Sequence, residues 1–233
     1  MAASRPCGRW GQAGRDGHRD RRGAAPLSLP PPEAYAREDE SPDDRFYGFP
    51  RRVVHIDTGA IAALGRLYAE VLPAGGRLLD LMSSWRSHLP GDMRFREVVG
   101  LGLNAEEMAD NPQLTRAIVH DVNGDPRLPF GDEAFDGAMC AVSIQYLTAP
   151  LVVFREVRRV LRPGAPFVLS FSNRCFPTKA VAVWLGSTDP QHVALVRAYF
   201  QGAGGWVDVT EEDRSPGDDG DPLYAVWART RSV

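Results

Sequence analysis

Lysine is nearly absent from this 233-residue chain: of 27 basic residues only Lys179 is a lysine, and the rest are arginines. That bias, with its abundant alanine, glycine and proline, bears on codons and not on chemistry. With 30 acidic residues the formal net charge is −3, which gives no reason to expect a polyanion such as nucleic acid as a partner. Cysteine is scarce too. Cys7, Cys140 and Cys175 are odd in number and widely spaced, which argues against a disulfide framework and for a reducing compartment. No CxxC or HExxH spacing appears, so no metal site is expected. No apolar run approaches the roughly 20 residues of a membrane span. Arg21-Arg22 is followed by no hydrophobic stretch, so the sequence predicts a cytoplasmic protein without an export signal.

What is present is ordinary globular composition, 43% hydrophobic and 24% charged, at a length suited to one domain. Residues 1–32 are rich in Arg, Gly, Ala and Pro and hold almost no periodic apolar positions. They read as a disordered tail, and "EDESPDD" (38–44) reads as an acidic linker, so residues 1–45 are set apart from a domain over 46–233.

Within the domain, Asp57 or Thr58 is placed to cap a helix whose Ile61, Leu64, Tyr68, Val71 and Leu72 follow a 3.6-residue period. Pro73 and Gly75-Gly76 end it before the strand "RLLDLM". Further strands are expected at "EVVGLGL" (97–103), "RAIVHDV" (116–122), "FDGAMCAVSI" (135–144), "APFVLSFS", "WVDV" and "LYAVWA". Helices are expected from "NAEEMAD", over about 149–162, near 177–186, and after Asp189-Pro190 as cap and first turn. Strands alternating with helices imply an α/β fold with a mostly parallel sheet and right-handed crossovers.

In such sheets ligands bind beyond the carboxyl ends of the strands, beside the first strand. The segments to read for chemistry are therefore Asp80–Ser87, Gly102–Glu106, His120–Asn123, Ser143–Tyr146 and Ser172–Arg174.

The stretch "RLPFGDEAFDGAMCAVSIQYLTAPLVVFREVRRVLRPGAPFVLSF" resembles the second half of a class I S-adenosylmethionine-dependent methyltransferase of the methyltransferase type 11 group. "GRLLDL" and "VVGLGLNAEEM" stand where that group carries its first two cofactor motifs. The resemblance covers roughly residues 46–230. It implies a Rossmann-like methyltransferase fold, a seven-stranded sheet with helices on both faces, and S-adenosylmethionine as cofactor.

Two positions depart from the family pattern. Its first motif usually runs LDLGCGTG, and here it reads "LDLMSSWR", with every glycine replaced. Gly102 stands where the family has the acid that pairs with the ribose hydroxyls, leaving Asn104 as a weaker amide substitute. Other positions carry over. The resemblance implies cofactor contacts from Asp80, the loop Met82-Ser83-Ser84, Asn104, Asp121 with Val122, and Ser143.

Each of these residues has a purely structural alternative. Asp80 is equally suited to capping local amides, Ser83-Ser84 to a turn, Asp121 to the turn with Asn123-Gly124, and Trp85 to packing. Tyr146 is the aromatic candidate on the substrate side, or a core residue. Gln145, Asn173 and Arg174 are candidates for binding substrate, with a surface salt bridge as the other reading of Arg174. His55, with an ordinary pKa near ~6.5, is the candidate general base, and Asp57 is read as a helix cap. Cys140 is read as core, and Cys175 as a thiol near the mouth of the site.

The expectation is a methyltransferase acting on a small molecule by in-line transfer, with no metal, nucleic-acid or membrane partner and with oligomeric state open. The alternative is a non-catalytic binding or regulatory protein on the same fold. A dehydrogenase is disfavoured because neither its glycine fingerprint nor its ribose acid is present.

Overall fold

The computed structural model describes residues 5–6, 29–217 and 220–232. Among these residues nine strands lie at β1 (Arg5–Pro6), β2 (Arg77–Leu81), β3 (Glu97–Gly102), β4 (Arg116–Val119), β5 (Gly137–Ala141), β6 (Pro166–Phe171), β7 (Arg174–Cys175), β8 (Trp206–Asp213) and β9 (Tyr224–Thr230). The helices are α1 (Asp43–Tyr47), α2 (Thr58–Val71), α3 (Ala105–Ala109), α4 (Pro150–Val160), α5 (Ala182–Leu185) and α6 (Asp189–Ala203), with short 3-10 turns at Pro32–Tyr35 and Ile144–Tyr146.

Seven strands form one sheet in the order β4-β3-β2-β5-β6-β9-β8, and β1 pairs separately with β7. The β2, β3, β4, β5 and β6 pairings are parallel, while β9 runs antiparallel to both β6 and β8. This is the mostly parallel, seven-stranded Rossmann-like sheet that the sequence predicts. Strand order reverses at β2, whose neighbours are β3 on one side and β5 on the other.

The strands are apolar on both faces because helices cover both. Successive residues point to opposite sides, so Leu78, Val98 and Val168 pack with α2, while Leu79, Val99 and Leu169 pack with α4 and α6. On α4 the predicted face is the buried one: Val153, Phe154, Val157 and Val160 turn inward, each contributing roughly 1.5–3 kcal/mol of burial. Asp57 caps α2, its carboxylate accepting from the Ala60 amide at 2.8 Å.

Three local expectations are corrected. The helix near 177–186 shrinks to the four residues of α5, because the Val181 and Ala182 amides bond across the fold to the Gln145 and Ala36 carbonyls. The cap of α6 is Thr188, in a reciprocal box with Gln191, and not Asp189. Residues 38–44 are not a free linker: Asp43 is buried, and its carboxylate takes two hydrogen bonds from the Arg37 guanidinium at 2.7 and 2.9 Å. The rest of the predicted tail, apart from Arg5–Pro6 and residues 29–32, lies outside the described residues.

No helix among the described residues is long and apolar enough to cross a membrane. Cys140 is a buried free thiol within β5, while Cys175 is buried and disulfide-bonded, which corrects both the reading of it as a thiol near the mouth of the site and the expectation that three widely spaced cysteines stay reduced.

Candidate functional site

A cavity opens at the carboxyl ends of β2, β3, β4 and β5. Asp80 and the loop after it form the floor. Leu101–Asn104, His120–Asn123 and Ala141–Ser143 form the sides, and Tyr47, Arg51, Val53–His55 and Phe176 cover it. Among the described residues five non-glycine positions have positive φ, and three of them border this one cavity: Met82 (57°), His88 (59°) and Val142 (45°). A β-branched residue in that region is strained, and strain gathered at one cavity marks a functional site.

The loop after β2 is laced down from within. Met82 occupies the place of the first motif glycine and keeps its left-handed backbone. The Ser83 amide donates to the Leu101 carbonyl at 2.9 Å, and the hydroxyls of Ser83 and Ser87 both donate to Oδ2 of Asp80 at 2.6 Å. Burial raises the Asp80 pKa to about 6, even though those two hydroxyl bonds favour its ionised form. Ser84 donates to Glu107 at 2.5 Å, while Asn111 reaches both the Ser84 carbonyl and the Ser87 hydroxyl at 2.9 Å. The Trp85 indole N–H donates to the Val53 carbonyl at 3.0 Å and so pins the covering segment to the loop.

Gly102 follows from the same arrangement. A Cβ at this position would stand 2.1 Å from the Ser83 carbonyl oxygen, so the loop itself occupies the space an acidic side chain would need. A ribose-pairing carboxylate at this position is sterically excluded while the loop keeps its path.

The remaining predicted residues divide into two groups. His55, Asp80, Met82, Ser83, Ser84, Asn104, Asp121, Val122, Ser143 and Tyr146 all border the cavity. Several are already engaged there. Asn104 caps α3 through the Glu107 amide and donates to the Tyr47 carbonyl at 2.8 Å, which leaves it a poor substitute for the ribose acid. Ser143 donates to the Ala141 carbonyl at 2.9 Å, and Asp121 Oδ1 receives the Asn123 amide at 2.9 Å. Burial and the neighbouring His88 lower the His55 pKa to about 4, so His55 is neutral but too weakly basic for the expected role of general base. Tyr146 accepts the Phe176 amide at 2.8 Å, and burial pushes its pKa up to about 12, which makes it a structural phenol and not an acid–base group.

Gln145, Asn173 and Arg174 do not border the cavity. Gln145 is buried and its amide donates to the carbonyl of the strained Val142 at 2.8 Å. Asn173 is buried beside the Ser172 hydroxyl, and Arg174 is held by Asp221 at 3.1 Å. Strand-end position alone placed these three in the site, but Gln145 turns back to Val142 in the 3-10 turn after β5, and of the segment after β6 it is Phe176, beyond β7, that reaches the cavity.

Tyr47, Arg51, His88 and Phe176 border the cavity without any signal in the sequence, since they lie on loops or on a one-turn helix with no periodicity to read. Lys179 is missed for the same reason. It is fully buried, and its ammonium donates to the Ser41 carbonyl at 2.6 Å and stands 3.2 Å from Asp43. Burial works to raise the Asp43 pKa, but bonds from Asn123, Arg37 and Lys179 outweigh it and hold the carboxylate below its usual range. This clasp fixes α1 against the cavity.

A cofactor of the adenosine type meets a mixed fit. At the ends of β4 and β5 the groove offers Asp121, Val122 and Ser143 beside apolar walls, which suits a purine. At the ends of β2 and β3 the family's glycines and acid are replaced by a self-bonded loop. Among the described residues no cluster of three His, Cys, Asp or Glu side chains is arranged to hold a metal ion.

Residues 86–169 match the family described as a methyltransferase domain. The match begins at Arg86, the last residue of the glycine-free motif, and runs through β3, β4 and β5 into β6. A methyltransferase of Penicillium fellutanum is 32% identical over 101 residues, which is 40% of this chain and 31% of that protein, so only a minority of its length is shared. An uncharacterised methyltransferase of Mycobacterium sp. is 28% identical over 201 residues, covering 82% of this chain and 72% of the relative.

Among solved structures, the [4+2]-cyclase SpnF aligns at a TM-score of 0.56 and 18% identity, over 82% of this chain and 92% of its own. The Burkholderia thailandensis 1,6-didemethyltoxoflavin-N1-methyltransferase, solved with 1,6-didemethyltoxoflavin and S-adenosylhomocysteine, aligns at 0.53 and 17%, over 75% and 79%. At such identities these likenesses establish the fold, on which one neighbour is a [4+2]-cyclase and the other an N1-methyltransferase.

Proposed function

We propose, from a chain whose fold and matched segment are those of the class I S-adenosylmethionine-dependent methyltransferases, that this cavity binds S-adenosylmethionine and transfers its methyl group to a small molecule. The observation that carries the reading is the position of the cavity: it opens at the carboxyl ends of four parallel strands around the point where strand order reverses, with Asp80 beneath and Asp121 at one side. When bound, the cofactor supplies an already activated methyl group on a sulfonium.

The work left to the protein is alignment. Asp121, Val122 and Ser143 would hold the adenosine end. Asp80, whose carboxyl is fixed by two serine hydroxyls, would face the cationic end, where a nearby positive charge favours its ionised form. The cover formed by Tyr47, Val53, Val54 and Phe176 keeps water from the reacting atoms. In-line transfer needs the acceptor placed opposite the leaving sulfur, and the covered end of the cavity would supply that place. The small-molecule reading is supported by the enclosure of the cavity and by the Burkholderia neighbour, which holds 1,6-didemethyltoxoflavin.

Thermal unfolding with S-adenosylhomocysteine tests the reading. A ligand at 100 times its Kd stabilises by about 2.7 kcal/mol, which for a domain of this size raises Tm by roughly 5–10 °C. No shift at millimolar ligand rejects cofactor binding and favours a non-catalytic protein on this fold.

A further inference from the structure

The covered end of the cavity is built from rings. Phe176 stands 4.9 Å from His55, 5.4 Å from Phe46 and 6.3 Å from Tyr146 between ring centroids, and Tyr47 lies 6.5 Å from Tyr146. Within this box two buried polar atoms have no hydrogen-bond partner among the described residues: the Tyr47 hydroxyl and Nδ1 of His55. Both residues border the cavity. Buried polar groups in folded proteins are almost always satisfied, so two orphans on residues that border one cavity point to a ligand that satisfies them.

The charges nearby are already committed. Asp43 is paired with Arg37 and Lys179, and the Arg51 guanidinium donates to the Phe46 carbonyl and lies 4.0 Å over the Phe46 ring. Glu107 is engaged by the Ser84 hydroxyl and the Arg51 amide. An anionic ligand would meet the electron-rich faces of aromatic rings and no unpaired cation there, and a cationic one would compete with the Arg51 guanidinium already over the Phe46 ring. A flat ring would find edge and face contacts on several sides.

We propose that this end of the cavity binds an uncharged aromatic ring bearing hydroxyl groups, one donating to Nδ1 of His55 and a ring oxygen substituent accepting from the Tyr47 hydroxyl. With its proton on Nε2, His55 offers Nδ1 as an acceptor, and Tyr47 offers a donor, so the two residues read different halves of a hydroxyl. The proposal names the acceptor class for the methyl transfer argued above and rests on that reading for its catalytic meaning, while the binding itself does not require the cofactor.

The test uses the full chain and three probes in fluorescence titrations: 2,3-dihydroxynaphthalene, 2,3-dimethoxynaphthalene and naphthalene-2-sulfonate. The diol should bind about 10-fold or more tighter than the sulfonate. Tyr47→Phe should weaken the diol and the dimethoxy compound alike, by about 3- to 10-fold, because both present acceptor oxygens. His55→Leu should weaken the diol by a similar factor and leave the dimethoxy compound unchanged, because only the diol can donate. Tyr47→Phe removes a single unpartnered atom, and its circular dichroism and unfolding midpoint should match the parent.

Equal affinity for diol and sulfonate, or unchanged diol affinity in both variants, overturns the proposal. S-adenosylhomocysteine is titrated in parallel. If it binds and the diol does not, the acceptor class is wrong and the cofactor reading stands. If the diol binds with the expected variant pattern and the homocysteine compound does not, the ring site stands and the methyl-transfer reading fails.

Discussion

Replacing Gly102 tests whether the loop after β2 has taken over the space of the family's ribose acid. In Gly102→Ala the new Cβ would stand 2.1 Å from the Ser83 carbonyl oxygen and 3.1 Å from its carbonyl carbon, both backbone atoms that cannot swing aside. The loop must retreat by about 1 Å, and overpacking of this kind costs roughly 1–3 kcal/mol. The retreat also pulls on the Ser83 amide bond to Leu101, worth about 1 kcal/mol, and on the Ser83 hydroxyl bond to Asp80.

The expected loss is therefore about 2–4 kcal/mol, read as a lower denaturant midpoint with unchanged slope. Gly102→Asp, which restores the family's acid, should cost at least as much, because it adds a charge near the buried Asp80. Gly131→Ala is the control: nothing lies within 4 Å of a Cβ there, and it should stay within about 0.5 kcal/mol of the parent. A stable Gly102→Asp with tighter binding of S-adenosylhomocysteine would refute the reasoning and show a loop free to move aside.

Asp80 and Lys179 provide two further tests. The folded Asp80 has a pKa of about 6 against an ordinary value of 3.8, so its ionised form destabilises the native state at neutral pH, and the penalty fades as pH falls from about 6 towards 4. Asp80→Asn should gain up to about 3 kcal/mol at pH 7, at 1.36 kcal/mol per unit, and the gain should vanish near pH 4. The difference between variant and parent isolates this group from His55 and His88, whose lowered pKa values of about 4 tilt stability the opposite way over the same range. A loss of stability at pH 7 would contradict it. Lys179→Met leaves Asp43 and Asp39 without their ammonium and should cost about 3–5 kcal/mol, with weaker binding at the cavity because α1 loosens. An unchanged midpoint would show that Arg37 alone holds the clasp.

The sheet was legible because its signals are local and repeated. Apolar runs such as "RLLDL" and "PFVLSF" need cover on both faces, and the α4 stripe of Val153, Phe154, Val157 and Val160 carries its own period. The strands were therefore placed, although β4 and β5 end three residues earlier than expected, and with them most of the cavity floor. What each side chain does there was not legible, because that depends on contacts far apart in sequence. Gly102 reads as a lost acid until Ser83 is seen against it, and Asn104 as a ribose ligand until it is found bonded to the Glu107 amide and the Tyr47 carbonyl. The cover was invisible for a similar reason. Asp43 and Tyr47 sit in a polar stretch that resembles a linker, and only the buried Lys179, 136 or so positions away in a compact fold, shows why it is ordered.

The central claim is that the cavity holds S-adenosylmethionine although its loop has no glycine, and calorimetry with S-adenosylhomocysteine tests it most directly. The account predicts saturable one-site heat with the parent chain and an affinity reduced about 10-fold or more in Asp121→Ala. No heat at millimolar ligand, or binding that Asp121→Ala leaves unchanged, would contradict it.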